Sequence, residues 1–171
     1  DEVVINAPDA VQPRFTAEST PPKPVVFVAV GYYGKGGTLT IEGGKLECNC
    51  GFAGIQAMKK RGRPLLKAPV AKATVNMKGG TLKLLGISTF GDPVCKGGMM
   101  LWGRPNADVT FNMSGGEIEL GTLQMPESDV NSTAVFNLDG GVVNVTQTSD
   151  NETGLFIGED VHREKKLNGV M

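Results

Sequence analysis

Val109-Thr110-Phe111-Asn112-Met113-Ser114-Gly115-Gly116-Glu117-Ile118-Glu119-Leu120 alternates apolar and polar residues on both sides of a glycine pair. Alternation with period two marks a strand that buries one face and exposes the other. Glycine tolerates backbone dihedrals that a Cβ forbids, so the pair can turn the chain between two such strands. The stretch therefore reads as strand, bend, strand.

Three other segments align with it on their own glycine pairs. They are Leu39-Thr40-Ile41-Glu42-Gly43-Gly44-Lys45-Leu46-Glu47-Cys48, Val75-Asn76-Met77-Lys78-Gly79-Gly80-Thr81-Leu82-Lys83-Leu84 and Phe136-Asn137-Leu138-Asp139-Gly140-Gly141-Val142-Val143-Asn144-Val145. The first glycines are 36, 36 and 25 residues apart. Apolar residues fill four columns: Leu39, Val75, Phe111, Phe136; Ile41, Met77, Met113, Leu138; Leu46, Leu82, Ile118, Val143; Cys48, Leu84, Leu120, Val145. A glycine pair between alternating strands also suits a two-residue hairpin, which would give a sandwich of hairpins. Matching columns are instead what stacked parallel strands require, because side chains ~4.8 Å apart along the stack must fit their own equivalents. The spacing predicts an all-β, parallel β-solenoid (β-helix) of about five coils.

A looser landmark supplies another side of each coil. Val28-Ala29-Val30-Gly31, Met100-Leu101-Trp102-Gly103 and Leu155-Phe156-Ile157-Gly158 are short apolar runs ending in glycine. Residues 56–72, basic through Lys59, Lys60, Arg61, Arg63, Lys67 and Lys72, and residues 91–99 read as loop insertions on one flank. The chain divides into residues 1–27, an N-terminal strand (Val3-Val4-Ile5-Asn6) with an irregular proline-rich cap, and the repeats of 28–171. A cap there would cover an edge that otherwise invites association. Lys166-Leu167-Asn168 resembles the start of a further repeat, so the array is expected to continue or to be truncated at its C-terminal end. The chain starts with Asp1, and no charged and apolar leader precedes it, so a signal peptide is expected to be absent or already removed.

Composition narrows the function classes. Of 171 residues, 24 are glycine, about twice the usual ~7%. The formal net charge is −1, which argues against nucleic-acid binding, since that needs a basic surplus to displace counterions. The most apolar run, Pro24-Val25-Val26-Phe27-Val28-Ala29-Val30, has strand length, and no run approaches the ~20 residues of a membrane-spanning helix.

The repeat resembles the glycine-bend repeats of bacterial secreted and surface proteins, including autotransporter-associated β-strand repeats. The likeness lies in Val109-Thr110-Phe111-Asn112-Met113-Ser114-Gly115-Gly116-Glu117-Ile118, Ala134-Val135-Phe136-Asn137-Leu138-Asp139-Gly140-Gly141 and Gly154-Leu155-Phe156-Ile157-Gly158-Glu159. The resemblance implies a secreted or cell-surface location and a parallel β-solenoid architecture. It implies no activity.

Candidate site residues follow from the columns. Asn76, Asn112 and Asn137 align on the polar face beside Thr40, a structural amide ladder or a row that grips sugar hydroxyls. Glu117 and Glu119 are about 7 Å apart by strand rise and, with Trp102, form the candidate glycan contacts. Glu42 and Asp139 share a column three coils apart, about 14 Å, too far to act as a carboxylate pair. Three cysteines leave one odd: Cys48 reads as a small core residue, and a disulfide joins Cys50 to Cys95 or Cys48 to Cys95 in an oxidising compartment. Of the Asn-X-Ser/Thr sequons at Asn112, Asn131, Asn144 and Asn151, Asn131 and Asn151 are the best placed for glycosylation. The single histidine, His162, sits with Glu159 and Asp160 in a solvated loop. No catalytic residue, metal site or cofactor is assigned. The expected function is a non-catalytic extracellular structural module, a surface stalk or a subunit of a filament or lattice. Its partners would be copies of itself or sister surface proteins. The alternative is a β-helix that binds or cleaves polysaccharide.

Overall fold

The computed structural model describes residues 2–6, 12–31, 35–53, 70–85, 99–102, 107–124, 133–146 and 154–156. Its strands are β1 (Glu2–Ile5), β2 (Arg14–Phe15), β3 (Val25–Val30), β4 (Gly37–Ile41), β5 (Lys45–Ala53) and β6 (Ala71–Met77). They continue as β7 (Thr81–Leu84), β8 (Met99–Trp102), β9 (Ala107–Leu120), β10 (Thr122–Gln124), β11 (Thr133–Val145) and β12 (Gly154–Phe156). One short 3-10 turn, Ala17–Ser19, lies between β2 and β3, and no α-helix occurs among the described residues. All of these strands belong to one open sheet, and every pairing in it is parallel.

The pairings form three rows. In the first, β2, β4, β6, β9 and β11 succeed one another, with Leu39 beside Val75, Val75 beside Phe111 and Phe111 beside Phe136. Ile41, Met77, Met113 and Leu138 follow the same register. In the second row, beyond the glycine pair, Leu46, Leu82, Ile118 and Val143 are successive partners. Both halves therefore keep the 36, 36 and 25 offsets read from the sequence. Hairpins are excluded, since a hairpin pairs its own two strands antiparallel. Where β11 passes through its bend the register is irregular: Gly140 pairs with Ser114, between Leu138 opposite Met113 and Val142 opposite Glu117.

The third row carries strands that alternation alone did not single out. Val3, Val28, Gly51, Met100, Leu123 and Leu155 are successive partners. Gly51-Phe52-Ala53 belongs here because β5 runs on past Cys48 without a bend. Thr122-Leu123-Gln124 carries a single apolar residue, too few to reveal a period of two. The three landmark runs are consequently not neighbours, because residues 51–53 lie between Val28–Val30 and Met100–Trp102, and Thr122–Gln124 lies between those and Leu155. The segment between β1 and β3 also enters the first row, through Arg14 beside Thr40 and Phe15 beside Ile41.

Inward side chains from all three rows share one core, including Leu39, Val75 and Phe111, Leu46, Leu82 and Ile118, and Val28, Val30 and Leu123. Ile41, Met77 and Met113 are completely buried, and burial of such a side chain is worth about 1.5–3 kcal/mol. The Phe111 and Phe136 rings stack with centroids 4.9 Å apart and planes 8° from parallel.

The glycine pairs serve the stacking in two ways. Gly116 has φ +89°, where an L-residue costs roughly 1–2 kcal/mol. Gly115 has no such strain, but a Cβ there would lie 2.6 Å from the Lys78 carbonyl oxygen of the layer beneath. The first pair is different. Beneath Gly43 sits Ala17 of the 3-10 turn, and a Cβ on Gly43 would meet the Ala17 nitrogen at 3.4 Å, an ordinary contact. The turn is anchored by Thr20, whose hydroxyl donates to the Ala17 carbonyl at 3.1 Å and accepts from the Lys45 backbone N–H at 3.0 Å.

Gly115→Ala and Gly43→Ala make the same chemical change at equivalent bends. In urea unfolding, Gly115→Ala is expected to lose about 1–3 kcal/mol, the usual range for overpacking. Gly43→Ala should stay within about 0.5 kcal/mol of the parent, as surface substitutions usually do. Equal losses would mean that close layer contact does not govern the bend.

Candidate functional site

The chemistry-bearing side chains of the described residues lie on the outer faces of the first two rows. On the first face Asn76, Asn112 and Asn137 are register partners. Asn112 Nδ2 donates to Asn76 Oδ1 at 2.9 Å, and Asn137 Nδ2 donates to Asn112 Oδ1 at 2.8 Å. All three amides point the same way along the stack. Parallel strands about 4.8 Å apart place equivalent amides within reach of one another, as in cross-β ladders. The central amide uses one donor and one acceptor on its neighbours, so this row serves first to hold layers in register.

The second face carries charge. Glu47, Lys83 and Glu119 are register partners, and the sign alternates from layer to layer. Lys83 Nζ donates to Glu119 Oε2 at 2.5 Å, and Lys45 pairs with Glu47 at 2.6 Å. The hydrogen bond to Glu119, followed by that carboxylate's charge, raises the Lys83 pKa. Asn144 Nδ2 donates to Glu117 Oε1 at 2.6 Å. Glu117 and Glu119, the candidate glycan contacts, thus each hold a partner in a neighbouring layer. Near the bend, Glu42 receives Arg14 at 2.7 Å and Lys78 at 3.7 Å. The Glu42–Lys78 pair was legible as a column. The diagonal Asn144–Glu117 bond was not, because it crosses between columns.

Cys48 is a free, fully buried thiol between Val25 and Leu84 in the second row. Burial pushes its pKa up from 9.0 to about 12. Cys95 and the Cys50 side chain lie outside the described residues, as do the Trp102 side chain, Asn131, Asn151, His162 and the insertion cations from Lys59 to Lys67. The remaining sequon asparagines, Asn112 and Asn144, are engaged in the hydrogen bonds above. Comparison with family models, curated proteins and solved structures found no match to the chain.

Two measurements check this geometry. A hydrogen bond contributes about 1 kcal/mol net. Asn112 makes two of the ladder bonds and Asn137 one, so Asn112→Ala should cost about twice as much in denaturant unfolding as Asn137→Ala. Cys48 gives a pH signature. Its folded pKa is raised, so the unfolded chain ionises first, and stability should fall as pH rises from 9.0 toward about 12. Subtracting the profile of Cys48→Ala isolates this component, which vanishes if the thiol is accessible in the native state.

Proposed function

We propose that the chain is a parallel β-solenoid module of about five coils that acts as a non-catalytic structural element outside the cell, a stalk or an assembly subunit. The supporting observation is the succession of parallel pairings, in register except at the β11 bend, in which each layer meets only the layers above and below it. Such an architecture grows by repetition and leaves its outer faces free for contacts. Five layers at the parallel-strand spacing extend about 25 Å along the axis. The polar rows support the same reading, since their hydrogen bonds and ion pairs run from layer to layer. The glycine-bend pattern resembles repeats of exported bacterial proteins, which supports the location.

A polysaccharide-active β-helix would work through Glu117 and Glu119. Incubation with a panel of anionic and neutral polysaccharides, followed by reducing-end and unsaturated-product assays, is expected to show no depolymerisation. Cleavage abolished by Glu117→Gln or Glu119→Gln would replace the structural reading with an enzymatic one. Glycan-array binding lost in the same variants would replace it with a carbohydrate-binding one.

A further inference from the structure

The residue ahead of each glycine pair is Glu42, Lys78, Ser114 or Asp139. Asp139-Gly140 is the single Asp-Gly step in the chain. In such a step the side-chain Cγ and the following backbone nitrogen can close a five-membered ring. Both groups are already tethered at reacting distance, so the closure is intramolecular. A side chain on the following residue would obstruct it, and glycine has none.

The fold leaves both reacting groups unoccupied. Asp139 is exposed, and its carboxylate makes no hydrogen bond or ion pair among the described residues. Glu42, in the equivalent place before Gly43, is instead held by Arg14 at 2.7 Å and Lys78 at 3.7 Å. The bend also keeps its first glycine nitrogen out of the ladder. At the second bend the Lys78 N–H donates to the Ile41 carbonyl and the Thr81 N–H to the Gly44 carbonyl. The Gly79 nitrogen between them takes part in neither bond. Gly140 is the counterpart of Gly79. Around it the pairing of β11 with β9 is irregular on both sides, from Leu138 to Gly140 and from Gly140 to Val142.

We propose that Asp139-Gly140 is a self-modifying site, where Asp139 cyclises onto the Gly140 nitrogen and reopens as isoaspartate. The Gly140 nitrogen attacks Cγ of the protonated Asp139 carboxyl. A Cγ–N bond forms and the Cγ–OH bond breaks. The hydroxyl leaves with the amide proton as water, and a succinimide remains. Water then opens the ring at one of its two carbonyls. Opening at Cγ returns aspartate. Opening at the main-chain carbonyl gives isoaspartate, in which the chain runs on through Cβ and Cγ. Nothing is oxidised or reduced, and the original mass is restored. The other bends are spared: Lys78 and Ser114 carry no carboxyl, and Glu42 would have to close a larger ring from within its ion pairs.

Isoaspartate adds one carbon to the main chain at this bend. The layer beneath leaves no slack for it, since even a Cβ on Gly140 would lie 2.7 Å from the Ser114 carbonyl oxygen. The half of β11 after the bend then shifts against β9, and the Asn144–Glu117 bond is lost with it. The site stands on these described residues alone and is independent of the structural role proposed above.

The test uses the full chain, incubated in mildly acidic buffer below its melting temperature and sampled over weeks. Each sample is unfolded and digested with an endoprotease that cuts ahead of aspartate but not ahead of isoaspartate. Fresh protein is cut at Asp129, Asp139 and Asp150. Aged protein is expected to accumulate the uncut 129–149 peptide, mostly at unchanged mass and partly lighter by one water. The uncut fraction at Asp139 should be several times that at Asp129 or Asp150. Methyl acceptance from an isoaspartate-specific methyltransferase should rise more in the parent than in Asp139→Ser, which carries the residue already present at the Ser114 bend. Complete cutting at Asp139 after ageing overturns the proposal, because the folded bend then keeps carboxyl and nitrogen apart. Equal uncut fractions at all three aspartates, or an equal rise in methyl acceptance in Asp139→Ser, overturn it too, because the bend then confers no reactivity.

Discussion

Each layer of this molecule is held at the distance that parallel backbone hydrogen bonds allow. About 4.8 Å is too short for arbitrary side chains to stack, so the spacing acts as a filter on every position. Inside, only residues that pack on their own equivalents pass, and Ile41, Met77 and Met113 form a buried file. Outside, either matched amides or opposite charges pass, as in the asparagine ladder and in the succession Glu47, Lys83, Glu119. At the bend, little more than a hydrogen passes, because the carbonyl of the previous layer occupies the place of a Cβ. The backbone ladder runs through the bend as well, with Thr81 N–H donating to the Gly44 carbonyl and Glu117 N–H to the Gly80 carbonyl.

The same filter explains the polar faces. A row of like groups repeated at this distance either bonds along the stack or repels along it. Asparagine is self-complementary, since its amide carries both donor and acceptor. Carboxylates are not, and glutamates here face lysine or asparagine across layers: Glu119 meets Lys83, Glu117 meets Asn144, Glu42 meets Lys78. Exposed pairs of this kind contribute little individually and are screened by salt. Their larger effect is on register, because slipping one layer by a residue would break all of them and turn the core columns outward.

The terminal layers show what the filter leaves undone. A middle layer is satisfied on both sides, and an end layer on one. At the N-terminal end, the 3-10 turn takes the place of a glycine bend, and the Thr20 hydroxyl receives the Lys45 N–H. On β11, which pairs only with β9 among the described residues, Leu138 and Val145 of the apolar columns are exposed.

The alternation around four glycine pairs was enough to predict the first two rows, their parallel sense and their register. Side-chain period and glycine placement are local, and the offsets of 36, 36 and 25 leave one alignment that matches every column. The asparagine ladder was legible for the same reason. The third row was only partly so: Gly51-Phe52-Ala53 and Thr122-Leu123-Gln124 are strands because neighbours on both sides offer a ladder, not because their own residues alternate. Tertiary structure alone decided that Asn144 reaches Glu117, that the register is irregular between Leu138 and Val142, and that Leu138 and Val145 are exposed. Those outcomes depend on which strand lies across the gap, and that is not a property of any one segment.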